Sequence, residues 1–323
     1  MSRKVIAFLA ISIGWSALVG AGLFFTRTAL DSVVGIAALA VLYMPSPFVA
    51  AVIVERGIRR DRFRVPRRTA RQILGFLLAP IAAILAFTLL YLSVVFVAGN
   101  LLRLPLFGAV ALTPTEIMAG AAALLGQAAV DAAGPPPPVL VLLLVAIWGA
   151  IVAGWTVNGL VAMGEEYGWR GLLWDEVKPL GPVRANLLIG VAWGLWHAPL
   201  ILQGYNFAGH PFAGIVAMVL FCIGISFALT ALRERTGSVI PVAAAHGMFN
   251  GLAAILLLIV PGTPALLTGP LGLVGAVLFA IIGVGLSVGV TRRSRAPLGA
   301  ALSGHDRSQP VDPNPTLTGH SGT

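Results

Sequence analysis

The stretch VLVLLLVAIWGAIVAGWTVNGLVAMGEEYGWRG, Val139 to Gly171, decides how the rest of the chain is read. From 139 to 163 it carries no charge, which is length enough to cross about 30 Å of hydrocarbon as a helix. It then ends on adjacent carboxylates, Glu165 and Glu166, followed by Arg170. A lipid-soluble run that terminates in three charges describes a membrane helix with something polar to do.

Working outward, the same apolar character recurs. The chain has 323 residues, 58% hydrophobic and 10% charged, with mean hydropathy +0.94, whereas a soluble domain carries about 25% charged residues. Apolar runs near 5–25, 33–54, 73–98, 139–163, 185–203, 212–232, 239–260 and 268–290 predict an all-α polytopic membrane protein of eight transmembrane helices around a polar cavity. The expected organisation is one membrane domain over 1–295, its catalytic core at about 139–260. A Gly-, Ser- and Pro-rich tail, 296–323, is expected to be disordered and cytoplasmic. The first run is longer than a signal-peptide core and reads as an uncleaved helix. Residues 99–138 read either as an interfacial or re-entrant helix or as a loop stiffened by Pro135 to Pro138.

The net charge of +9 belongs to short loops. Arginines crowd between Arg56 and Arg71 and recur at Arg292, Arg293 and Arg295, while the opposite loops hold only Arg27 and Arg103. The positive-inside rule then places both termini in the cytoplasm of a cell with this protein in its plasma membrane. The pattern gives no reason to invoke nucleic acid. Cys222 stands alone in an apolar run, so neither an internal disulfide nor a cysteine-rich zinc site is available.

Ionisable groups inside a bilayer are costly and are kept where they pair or act. Glu166 and Arg170, four apart on a helix, share a face and can neutralise one another. Glu165 is rotated about 100° away and has no partner in its own helix, which suits a carboxylate that takes a proton from water. In the next run His197 lies about 18 Å along its helix. In the seventh, His246 and Asn250 project together and offer donors of the kind a developing oxyanion needs.

Glu-Glu-x-x-x-Arg, aromatic-x-x-x-His and His-x-x-x-Asn, each in its own membrane helix, resemble the CPBP family of intramembrane peptidases, which includes CAAX prenyl endopeptidases and bacteriocin-processing enzymes. The resemblance covers roughly 139–260. Trp193 stands where the family usually has Phe, four before His197. The resemblance implies Glu165 as general base, His197 as a holder of the attacking water and His246 with Asn250 as oxyanion stabilisers. Glu166 and Arg170 would be the supporting pair. It implies a peptide or protein substrate, prenylated or not, as partner beside the lipid bilayer.

The residues leave the cofactor open. Glu165, His197 and His246 could offer a carboxylate and two imidazoles to Zn2+, and carboxylate-driven water activation needs no metal. Two other functions use the same residues: a non-proteolytic scaffold or immunity protein of the same fold, and a proton-coupled transporter.

Overall fold

In the computed structural model the side chains that face outward are the apolar ones. Leu18, Val33, Leu89, Leu144, Leu160 and Phe212 are exposed, whereas Glu166 and Arg170 are wholly inaccessible. This inversion is what a lipid solvent selects. The structure describes residues 2–66 and 69–294, with side chains to 287. The expected disordered tail lies outside the described residues, as do Arg67, Arg68 and the side chains of Arg292 and Arg293.

The described chain is helical, with no strand among the described residues. Ten helices organise it: α1 Arg3–Phe25, α2 Val33–Glu55, α3 Ala70–Leu101, α4 Pro114–Leu125, α5 Val139–Trp155, α6 Val157–Leu180, α7 Pro182–Trp196, α8 Pro211–Thr236, α9 Ile240–Ile259 and α10 Leu273–Ser294. Side-chain oxygens start several of them. Ser2, Ser32 and Thr69 each accept from a backbone N–H three residues on, which satisfies donors a helix start leaves unpaired. Met1–Ser287 form one compact unit.

Among the described residues five helices, α1, α2, α3, α8 and α9, are long and apolar enough to span a bilayer, and α5 with α6 makes a sixth if the bent pair is one span. The expected count of eight is therefore not what the helix lengths show. The run expected as one span over 139–163 bends by 54°. The bend falls at Thr156, whose backbone angles are φ −127°, ψ −110°. Its freed groups are taken up locally: the Thr156 hydroxyl donates to Val152 O at 2.7 Å, and Asn158 Nδ2 donates to Gly247 O at 3.2 Å. Irregular backbone in a membrane is tolerated where such partners exist. The approach is close, because a Cβ on Gly247 would stand 2.6 Å from the Asn158 carbonyl carbon.

The expected span 185–203 stops early. Helix α7 has 15 residues, about 22 Å at 1.5 Å each. His197 caps it, and Pro199, in the short turn Ala198–Ile201, cannot extend the same hydrogen-bond ladder. Gly190 and Gly194, four apart, lay α7 directly on the backbone of α8 at Ile223 and Val219, the close packing that small residues permit between membrane helices. The region 99–138 contains α4 and a second short helix, Gln127–Ala133. It is held to the core by Ala111 N donating to Ile259 O at 2.8 Å.

Candidate active site

Three elements bring the polar residues together. Helix α6 carries Glu165 and Glu166 at the end of its regular part, after which the backbone widens into a π-helical turn, Tyr167–Leu173. Such turns recur at functional sites because they re-aim side chains without ending the helix. Gly168 in this turn lies against Pro47 of α2, with room for no side chain. Helix α7 carries Trp193 and ends on His197, and α9 carries His246 and Asn250.

Glu166 is the centre of a buried network. Its carboxylate accepts from Arg170 Nη1 at 2.9 and 3.0 Å and from His246 Nδ1 at 2.8 Å. Arg170 Nη2 donates to Ser226 Oγ of α8 at 2.9 Å, and Ser226 donates to Cys222 O at 2.6 Å. The guanidinium carbon stands 4.2 Å from the centre of the Trp193 ring. A desolvated cation is thus met by a carboxylate, a hydroxyl and an aromatic face. Ser226, on a helix that carries none of the expected site residues, shows in the sequence only as a hydroxyl in an apolar run.

Glu165 faces the other way, as a rotation of one residue requires. It is 3% exposed, and the Trp193 indole N–H donates to its Oε2 at 2.7 Å. Glu165, His197, His246 and Asn250 all line one cavity of about 260 Å³. Glu166 and Arg170 sit behind its wall. Tyr205 and Asn206 also line the cavity, as do the apolar side chains of Phe221, Ile225, Phe249 and Leu257. Tyr205 and Asn206, in the loop after His197, are lining residues that sequence reasoning missed, for they carry no helical spacing that would mark them.

The hydrogen bonds assign the tautomers. His197 Nδ1 lies 2.9 Å from Trp193 O and His246 Nδ1 lies against Glu166. A carbonyl and an arginine-paired carboxylate can only accept, so both Nδ1 atoms carry hydrogen and each ring has Nε2 left over. That is the arrangement by which a second shell prepares imidazoles to hold a metal or a water. Among the described residues, however, no three His, Cys, Asp or Glu side chains stand close enough to share a metal ion. Glu165, His197 and His246 as spaced here do not fit a zinc ligand set.

Residues 135–252 match the family model of type II CAAX prenyl endopeptidases, Rce1-like. The chain is also 32% identical over 124 residues to a CAAX prenyl protease 2 from Methanococcus maripaludis, a stretch covering 36% of this chain and 45% of that relative. The chain thus matches under half the length of that relative. No solved structure matches the chain. The matched segment holds every one of the motif residues, Glu165, Glu166, Arg170, Trp193, His197, His246 and Asn250, and over that segment the chain is similar to type II CAAX prenyl endopeptidases.

Proposed function

We propose that the protein is an intramembrane endopeptidase that hydrolyses a peptide bond near the membrane surface. The observation that carries this reading is the single cavity lined by Glu165, His197, His246 and Asn250 from three helices. It joins a carboxylate with one donor, two imidazoles with free Nε2 atoms and an amide.

Glu165 accepts a proton from water as the hydroxide adds to the substrate carbonyl, then returns that proton to the leaving amine. His197, with its Nδ1–H committed to Trp193 O, accepts from the same water through Nε2 and aims it. The Asn250 amide donates to the tetrahedral oxygen. His246 joins it only when the ring carries both protons, since Nδ1–H is spent on Glu166. The pair Glu166–Arg170 orients His246 from behind. No step is routed through a metal, and the same chemistry proceeds with chelator present.

The apolar side chains that share the cavity's lining favour a substrate with a hydrophobic group beside the scissile bond. The similarity to a CAAX prenyl protease 2 supports a prenylated cysteine as that group. On this reading the cavity lies within the bilayer, and the arginine-rich loops support a cytoplasmic placement of both termini.

The test is purified full-length protein in phosphatidylcholine vesicles, given a quenched fluorescent peptide ending in a farnesylated CAAX sequence, the same peptide unmodified, and each again with EDTA. Cleavage of the farnesylated peptide, unchanged by EDTA, is expected. Cleavage of neither peptide removes the CAAX reading, and loss of turnover restored by zinc removes the metal-free mechanism.

A further inference from the structure

A second cavity, of about 440 Å³, lies at the opposite end of α6 from the bend at Thr156, where that helix meets the N-terminus, the loop after α2 and the end of α8. Six cations line it: Lys4, Arg59, Arg62, Arg64, Lys178 and Arg233. Four carboxylates face them, and each is already engaged. Asp61 takes Arg59 at 3.0 and 2.9 Å. Glu55 takes both terminal nitrogens of Arg62 at 2.5 and 2.6 Å. Asp175 lies 3.5 Å from Arg62 Nε and 3.4 Å from Lys178. Glu176 lies 3.4 Å from Lys4 and accepts from the Ser2 hydroxyl at 2.8 Å.

Arg64 and Arg233 are left without a carboxylate partner among the described residues. Two further observations bear on the cavity. The Nε atom of Arg233 has no hydrogen-bond partner among the described residues, and Arg62, with its Nε 3.5 Å from Asp175, is held in place at 2% exposure. Buried donors of this kind ordinarily find an acceptor. Arginines that serve topology alone have no reason to be gathered in this way. Arg56 and Arg60 in the same loop do not line the cavity, and Arg62 is built in by the Tyr167 ring 5.0 Å away and by its carbonyl accepting from Val239 N at 2.9 Å.

We propose that this cavity is an anion site for a phosphate group, with Arg64 and Arg233 as its principal ligands and the ion-paired Arg62 as its floor. Guanidinium forks match phosphate oxygens. The position, at the charged rim of a membrane protein, is where a lipid headgroup presents the same chemistry as free phosphate.

The test uses the full chain in a neutral detergent and follows the thermal midpoint against three probes: short-chain phosphatidic acid, short-chain phosphatidylcholine and inorganic phosphate. A saturable rise with phosphatidic acid alone assigns the site to a lipid headgroup, and an equal rise with inorganic phosphate assigns it to the free anion. In either case Arg64→Gln with Arg233→Gln weakens the response about tenfold or more. Arg233→Lys restores part of it, and Arg103→Gln, at a residue that does not line the cavity, leaves it intact. Arg64 is exposed, so its single substitution reads the site without risk to folding. A response to none of the probes, or one that survives the double substitution, overturns the proposal.

Discussion

The indole N–H of Trp193 donates to Glu165 Oε2 at 2.7 Å, and the face of the same ring covers the Arg170 guanidinium at 4.2 Å. One side chain therefore holds the carboxylate that faces the cavity and shields the cation that supports it from behind. A phenylalanine at this position keeps the second contact and loses the first. Trp193→Phe is expected to lower kcat about tenfold, the worth of one hydrogen bond to a charged group at about 1.5 kcal/mol, with an unchanged thermal midpoint. Peptide kinetics alongside a melting curve check this. A Trp193→Phe variant that turns over at the wild-type rate would show that the donor is not what matters.

Removing one member of the buried pair leaves the other charged and unsatisfied. Arg170→Met is expected to destabilise the folded protein by about 3–5 kcal/mol, and Glu166→Gln combined with Arg170→Met to recover a part of it. Denaturation in detergent measures both. An additive loss in the double variant would contradict the coupling between the two residues.

The polar centre was legible because lipid makes ionisable residues conspicuous. Glu165, Glu166, Arg170, His197 and His246 stand out from apolar runs, and the structure brings all five to one place. What escaped was geometry that no single residue announces. No proline marks the bend at Thr156; it arises where Gly154, Gly159 and Gly247 let two helices meet a third. The early end of α7 was written in Pro199, yet the apolar run continues past it and reads as a span. Trp193 was legible as bulk, but its N–H became a donor only once α6 was folded against α7. Ser226 and Tyr205 are residues of ordinary types whose importance is purely positional.

The contact of α7 with α8 runs through bare backbone. Gly194→Leu is expected to force the helices apart, costing about 1–3 kcal/mol or more by overpacking and displacing His197 at the end of the same helix. Reduced folded yield together with lost activity is the expected result. Full activity would show that the helices do not pack as closely as described.

Glu116 gives a pH-dependent reading away from the membrane helices. Its side chain accepts from Leu112 N at 2.7 Å and Thr113 N at 3.1 Å. These backbone donors, Leu112 first and Thr113 next, hold its carboxyl below the usual glutamate range. The folded value lies below the unfolded one, so the cap on α4 is fully present above the ordinary glutamate pKa and is lost as pH falls through the depressed value. Hydrogen exchange in 114–125 is expected to quicken across that acid window in the wild type. Glu116→Gln should show no such dependence, and identical profiles would remove the capping role.

In the proposed mechanism Glu165 is the group that moves the proton. The decisive measurement is the turnover of wild type and Glu165→Gln on the farnesylated peptide in matched vesicles, with folding monitored by the thermal midpoint. Since the amide keeps the size of the carboxylate and cannot accept that proton, turnover should fall by about 10² or more in a protein that melts as before. A well-folded Glu165→Gln variant that cleaves at the wild-type rate would contradict the mechanism.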